Sequence, residues 1–214
     1  MTTPTRHPSE DLILDFARGA LERGRAAVIE AHLGACPACR AAVRFAEAVG
    51  GALLEELPPA DLAPDALEGA LARIETPPPS PGSALAAPDD WIRVPADVLD
   101  AARGNRRFSA PGVWVAAFTG TPRRGARSYL LGIDKGIAVP RHTHDGKELV
   151  CILKGAFEDR GEVYQAGDFI ESDDRVEHEP RVTRDGECVC LVSVDNSLVP
   201  RSLMARLFQP FVGI

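Results

Sequence analysis

The first third of the chain has the apolar periodicity of α-helices. Leu12, Ile13 and Phe16 recur at helical spacing behind Ser9, which predicts a first helix with Ser9 as its N-cap. Gly34 has the position of a C-cap glycine at the end of a second helix. The pattern predicts four helices in all, over about residues 10–20, 26–33, 36–57 and 65–74.

The pattern changes in the second half of the chain. Short β-branched runs bounded by Gly, Pro or Asp occur there, which is typical of a β-sandwich or barrel. Five of the 18 prolines lie between these two parts, in the segment TPPPSPGSALAAP, and predict a semi-extended linker. We therefore expect an α + β two-domain protein with a small helical domain over 1–75, a linker over 76–89 and a β-barrel domain over 90–214.

Composition narrows the class of protein. The chain is 45% hydrophobic and 26% charged, as soluble globular proteins are. No signal peptide or membrane-spanning run is apparent, so a cytoplasmic location is expected. Five cysteines make an odd count, which argues against a disulfide framework.

The net charge of the chain indicates which class of macromolecule it can bind. The net charge is −7, and residues 1–88 carry 12 acidic against 7 basic side chains. An acidic surface is poorly suited to direct nucleic-acid binding. It is better suited to a basic protein partner.

Two cysteines and a histidine are spaced as metal ligands around the start of the third helix. Cys36 and Cys39 lie in its first turn, and His32 comes from the end of the second helix. His7 is the other histidine of this part and the candidate fourth ligand. This set predicts a Cys2His2 structural Zn²⁺ site that supplements a thin helical core. The alternative is that the cysteines are small apolar core residues and His7 belongs to an unattached tail.

The H-x3-C-x2-C pattern with an upstream histidine resembles that of the zinc-binding anti-sigma factors. The resemblance covers about residues 5–75. It implies a small helical domain that binds an extracytoplasmic-function sigma factor and blocks its access to RNA polymerase.

A second set of metal-ligating residues lies in the predicted barrel. His142 and His144 alternate along a strand and so face the same side, and Glu148 follows on the adjoining strand. With His178 they make a three-histidine, one-glutamate set. Such a set suits a divalent metal, with Zn²⁺ expected and Mn, Fe or Ni left open. The alternative is a metal-free barrel, which would have to bury these polar side chains without compensation.

This second set resembles the metal site of the cupins. G-x5-H-x-H-x3-E-x6-G, starting at Gly136, is similar to the first cupin motif at each spaced position. Gly167 and His178 keep the separation found in the second motif. That motif departs from the family at its Pro, Gly and Asn positions, which are Asp173, Arg175 and Val182.

Three further cysteines lie in the barrel part. Cys151 is interpreted as a small core residue. Cys188 and Cys190 flank one residue and so share a face of one strand. They are therefore candidates for a redox-active pair.

Over nearly its full length the chain resembles the ChrR family of anti-sigma factors. HLGACPACR in the helical part and CLVSVDNSLVPRSLMARLFQPFVGI at the C-terminus carry this resemblance. It implies a one-to-one complex with a group IV sigma factor, released on singlet-oxygen or related oxidative stress sensed through the cupin domain. The chain would then be a transcriptional regulator without catalytic residues.

Two other hypotheses remain open at the level of sequence. The chain could be a cupin enzyme, a dioxygenase or an isomerase, with a zinc-stapled helical regulatory domain. Alternatively, Cys36 and Cys39 could themselves be the oxidant sensor, forming a disulfide and ejecting zinc.

Overall fold

The computed structural model describes residues 3–75, 90–104, 106–118, 126–143, 145–195 and 199–200. The predicted linker over 76–89, His144 and most of the C-terminal stretch lie outside these ranges. The helices are α1 Glu10–Ala17, α2 Arg23–Ala35, α3 Pro37–Glu55, α4 Ala66–Glu75 and α5 Ala96–Arg103. In the described part of the chain no helix is both long and apolar enough to cross a bilayer.

In the described ranges, eleven strands follow the helices and pair antiparallel. Their bounds are β1 Arg107–Ala110, β2 Val113–Ala117, β3 Arg127–Ile133, β4 His142–Thr143, β5 Glu148–Lys154, β6 Ala156–Asp159, β7 Glu162–Gln165, β8 Phe169–Ser172, β9 Arg181–Val182, β10 Cys188–Val194 and β11 Val199–Pro200. Six of them form one sheet in the order β1-β2-β3-β10-β5-β8, and smaller sheets form from β7-β6-β9 and β11-β4. The predicted fold class, a helical domain followed by a cupin-like β-barrel, is confirmed.

The predicted end of the second helix is wrong. Gly34 does not terminate α2, which continues to Ala35. A Cβ atom at Gly34 would lie 2.2 Å from the backbone oxygen of Arg93. The glycine therefore lets the segment before α5 approach the helix closely, and it does not act as a cap.

The large sheet is buried on both faces. Its outer face packs against α2 and α5 in one apolar core that includes Val28, Ile29, Val98, Leu153 and Leu191. This explains why β10 is buried along its whole length. The helical part thus gains much of its core from the barrel, and a metal is not its only source of stability.

The inner face of the large sheet encloses a second apolar core with β6, β7 and β9. A cavity of about 320 Å³ lies within it. Its walls are mostly aliphatic and aromatic, and His142, Glu148 and His178 lie at its polar end. This arrangement positions the second candidate site described below.

Candidate metal centres

The first candidate centre forms where three segments of the helical part meet. Cys36 is the N-cap of α3, and its sulfur accepts a hydrogen bond from the backbone N–H of Cys39 at 3.4 Å. His32 lies in the last turn of α2, and His7 lies in the N-terminal arm, residues 3–9, that precedes α1. Pro37 is tolerated at the first position of α3, because an N–H group there would have no hydrogen-bond acceptor within the helix.

The four side chains are arranged as zinc ligands are. Their donor atoms all lie within 4.8 Å of one another. The sulfur of Cys39 is 3.2 Å from Nε2 of His32 and 3.4 Å from Nδ1 of His7, which is 3.5 Å from the sulfur of Cys36. Tetrahedral Zn²⁺ with ordinary Zn–S and Zn–N bonds separates nitrogen from sulfur by about 3.5 Å. The donor set and its spacing therefore fit zinc.

Burial sets the charge state of this cluster when no metal is bound. Burial, as the main cause, and the hydrogen bond with the Cys36 thiol, as a second one, raise the pKa of Cys39 to about 12. Desolvation also lowers the pKa of His32. The metal-free cluster is therefore neutral at these two positions, and a bound cation would supply the charge that stabilises a buried thiolate.

The second candidate centre lies at the polar end of the barrel cavity. Nε2 of His142 on β4 is 2.9 Å from Nε2 of His178. Nδ1 of His142 donates to the backbone oxygen of Pro140 at 2.8 Å, and Nδ1 of His178 is 3.5 Å from the buried carboxylate of Asp159. Each ring thus has an acceptor behind it and directs its other nitrogen into the cavity, as metal-binding histidines do.

The spacing of these two nitrogens also fits a metal. Two nitrogens about 2.1 Å from one ion and at right angles to each other lie about 3.0 Å apart. Glu148, at the start of β5, lines the same cavity. His144 lies outside the described residues, and the donor atoms of His142, Glu148 and His178 do not converge as closely as those of the first cluster. The four-ligand cupin set stays a prediction.

Burial also perturbs the barrel residues. It raises the pKa of Glu148 to about 8 and lowers that of His178 to about 4. It also lowers the pKa of His142. All three groups are therefore predominantly neutral in the metal-free barrel near pH 7, as desolvation requires.

The predicted thiol pair lies on the wall of the cavity. Cys188 and Cys190 project from the same face of β10, with their sulfurs 3.8 Å apart. The pKa of Cys190 is raised well above its ordinary value by the neighbouring Cys188 thiol and by burial. Cys151 is on the opposite face of the large sheet, in the core shared with the helices, as its interpretation as a core residue predicts.

Asp159 was missed at the level of sequence. It lies on β6, 19 positions before His178, and nothing in the local pattern distinguishes it from the exposed acidic residues around it. Only the closure of the barrel brings its carboxylate behind the histidine ring.

The fold and the two centres define a class of protein in which a helical His/Cys domain is joined to a cupin-like barrel. Residues 9–40 match the family model described as a putative zinc finger, and residues 100–197 match that of the ChrR cupin-like domain. The anti-sigma-E factor ChrR of Cereibacter sphaeroides is 35% identical over 219 residues, which cover 99% of this chain and all of that protein.

A solved structure is similar over most of the chain. The crystal structure of Rhodobacter sphaeroides SigE in complex with the anti-sigma ChrR matches with a TM-score of 0.77 and 32% identity. The match covers 90% of this chain and 100% of that one. This chain belongs to the ChrR family of anti-sigma factors. It is therefore a regulator rather than an enzyme, as the sequence predicts.

Proposed function

We propose that this chain binds and inhibits a group IV sigma factor through its helical part, in a one-to-one complex. Its similarity to ChrR, which forms a complex with SigE, supports the choice of partner. A surface on the helices themselves carries the proposal independently.

That surface is an apolar face left uncovered on the helical part. Among the described residues, twelve large apolar side chains are exposed, and ten of them lie within residues 3–75. Three of them, Phe45, Val49 and Leu53, recur every four residues and so lie along one side of α3. A folded chain seldom leaves a contiguous apolar stripe in water without a partner. The ten, called here the exposed apolar face, are Leu14, Phe45, Val49, Leu53, Leu54, Leu57, Leu62, Leu67, Leu71 and Ile74.

The geometry of α3 explains why this face is available. The buried residues of α3 are Cys39 and Val43, both in its first two turns, where it packs on α1 beside the candidate zinc site. The rest of the 19-residue helix extends from that anchor, with Phe45 73% exposed. A zinc ion at the N-terminus of α3 would therefore fix the direction in which the apolar face points.

We further propose that His7, His32, Cys36 and Cys39 hold a structural Zn²⁺. The second centre, His142, His144, Glu148 and His178, would hold a divalent metal, most simply zinc. The match to the zinc-finger model includes His32, Cys36 and Cys39, and the match to the ChrR cupin-like model spans all four residues of the second set. For the second site, the paired imidazoles and their acceptors on Nδ1 support the proposal.

The barrel is the proposed sensor of singlet oxygen or related oxidants. Two thiols, Cys188 and Cys190, line the same cavity as three of the candidate metal ligands, His142, Glu148 and His178. Thiols can be oxidised through a series of states. Oxidation there, or loss of the metal, would change the barrel and lower the fraction of sigma factor that is bound.

Co-expression with a candidate group IV sigma factor tests the central proposal. Phe45→Ser should weaken the complex by at least tenfold, because it removes a large apolar contact. Phe108→Ser is the matched control, since Phe108 is 82% exposed on β1 of the barrel. Equal affinity of the Phe45→Ser and wild-type proteins for the sigma factor would contradict the assignment of this face.

A further inference from the structure

The candidate zinc site of the helical part lies directly against the barrel. Nδ1 of His32 donates to the backbone oxygen of Gly167 at 2.7 Å, in the turn between β7 and β8. Phe169, the first residue of β8, packs its ring edge-on to His32 with centroids 5.8 Å apart. His32 and Phe169 are both buried. The group that orients this histidine thus comes from the barrel, 135 residues further along the chain.

The N-terminal arm that carries His7 is held by the same turn. The side-chain Oδ1 of Asp168 accepts hydrogen bonds from the backbone N–H groups of Thr5 at 2.7 Å and Arg6 at 3.1 Å. The backbone N–H of Phe169 donates to the oxygen of Arg6 at 3.1 Å. These bonds fix the two residues immediately before His7, which lies in no helix or strand of its own.

Asp168 links the arm to the interior of the turn. Its side chain is fully buried, and its second oxygen accepts from the backbone N–H of Gln165 at 2.9 Å. A buried carboxylate is tolerated only when its oxygens are satisfied in this way. The backbone N–H groups of the arm therefore satisfy one oxygen of the buried Asp168 carboxylate, and Asp168 in turn positions the arm.

Gly167 allows the close approach. Its φ is +96°, and a Cβ atom there would lie 2.8 Å from Cγ of Pro4 and 3.1 Å from Cβ of Ala35. The arm and the end of α2 thus contact this turn on two sides. The glycine that matches the second cupin motif also makes room for the zinc-binding part.

We propose that the β7–β8 turn is the outer coordination shell of the zinc site, with Gly167 and Asp168 as positioning residues for His32 and His7. The zinc site is then a joint property of the helical part and the barrel. This inference rests on the proposed zinc site and specifies how the barrel acts on it. Outer-shell groups of this kind typically change metal affinity by about 10- to 100-fold.

One strand connects this turn with the barrel cavity. β8 starts at Phe169, beside His32, and ends at Ser172, which pairs with Glu148 on β5. Ile170 and Ser172 line the cavity. The strand spans about 10 Å between its two ends. A displacement of β8 caused by a change at the polar end of the cavity would therefore move the groups that orient the zinc ligands.

Metal retention in the full-length protein tests this inference. The chain is loaded with Co²⁺, because the thiolate-to-cobalt absorption reports a site with cysteine ligands, and dissociation into excess chelator is followed at that band. Thr5→Pro removes the backbone N–H bond and the weaker hydroxyl bond of Thr5 to Asp168, and Asp168→Ala removes their acceptor. We expect Asp168→Ala to release the metal at least tenfold faster and Thr5→Pro severalfold faster.

Two control variants separate positioning from general stability. Thr5→Ser keeps the backbone N–H and the hydroxyl that donates to Asp168 Oδ1 at 3.4 Å, and should release the metal at the wild-type rate. Ile133→Ala loosens the inner core from β3, which β10 and β5 separate from β8 in the large sheet, and should also leave the rate unchanged. Release from Thr5→Pro at the wild-type rate would overturn the inference, as would equal acceleration by Ile133→Ala. If the wild-type chain itself lacks the band, the zinc site is wrong and the inference falls with it.

Discussion

The four candidate zinc ligands differ in how local their geometry is. Cys36 and Cys39 are set by one helix start, and His32 lies within the same short segment of chain. Their convergence is therefore predictable from spacing alone. His7 is different, because its arm reaches the cluster through bonds to Asp168 in the barrel. The sequence identifies His7 as a candidate ligand because it is the other histidine of this part, but it does not reveal the contacts with the barrel that position it.

Glu148 gives a pH dependence at the residue scale. Burial raises its pKa to about 8 in the folded, metal-free barrel, from about 4.5 in the unfolded chain. The folded state then holds a proton that the unfolded state has lost between these two values. This difference by itself lowers the free energy of unfolding as pH rises through that window, by at most about 1.4 kcal/mol per pH unit. The lowered pKa values of His32, His142 and His178 act in the opposite direction below about pH 6.5, so the fall should be seen above that pH.

Urea unfolding of the metal-free protein between pH 7 and pH 8 measures this slope, because His142 and His178 are then mostly neutral in both the folded and the unfolded state. Glu148→Gln has no titrating group at this position, so its stability should vary less with pH. Adding the divalent metal should also flatten the wild-type curve, because the metal favours the ionised carboxylate. Identical slopes for the wild type and Glu148→Gln would refute the assigned cause.

At the scale of the element, predictions succeeded where the determining contacts are local. The start of α3 was predicted from Cys36 and Pro37, and α3 indeed begins at Pro37. The end of α2 was predicted wrongly. Position 34 is a glycine because the backbone of Arg93, 59 positions further along the chain, leaves no room for a Cβ atom there. The apolar stripe of α3 was visible in sequence, but its pattern could not tell an intramolecular core from a face left for a partner.

The two kinds of helix glycine give a matched prediction. Gly34→Ala should lower the free energy of unfolding by about 1–3 kcal/mol, since its Cβ would overlap the Arg93 oxygen. Gly50→Ala, in α3, meets no atom within 4 Å. It should stabilise the protein by about 0.5–1 kcal/mol through helix propensity. Chemical denaturation of both variants decides this, and equal effects in both would contradict the proposed role of Gly34.

At the scale of the whole molecule, the helical part and the barrel are joined by more than the linker. They share the core around α2, and an ion pair joins Arg25 on α2 to Asp195 just after β10. Composition and the proline-rich segment predicted two parts with different roles. The packing between those parts depends on contacts across more than 100 residues, so no local pattern could reveal it.

The sensor proposal makes a prediction at this scale. His178→Ala should leave the affinity for the sigma factor within about threefold of wild type, because the exposed apolar face is untouched. Release of the sigma factor by singlet oxygen should be at least severalfold weaker. Glu179→Ala, next to it and exposed, is the control. A normal oxidant response in His178→Ala would exclude the barrel metal site as the sensor.

The exposed apolar face of the helical part is the proposed binding site of the sigma factor. Hydrogen–deuterium exchange of the full-length protein, alone and with the sigma factor, tests it most directly. We expect strong protection of the backbone amides of α3 and α4 in the complex, with β1, which carries the exposed Phe108, unchanged. Protection confined to the barrel, with α3 and α4 exchanging as in the free protein, would contradict the account.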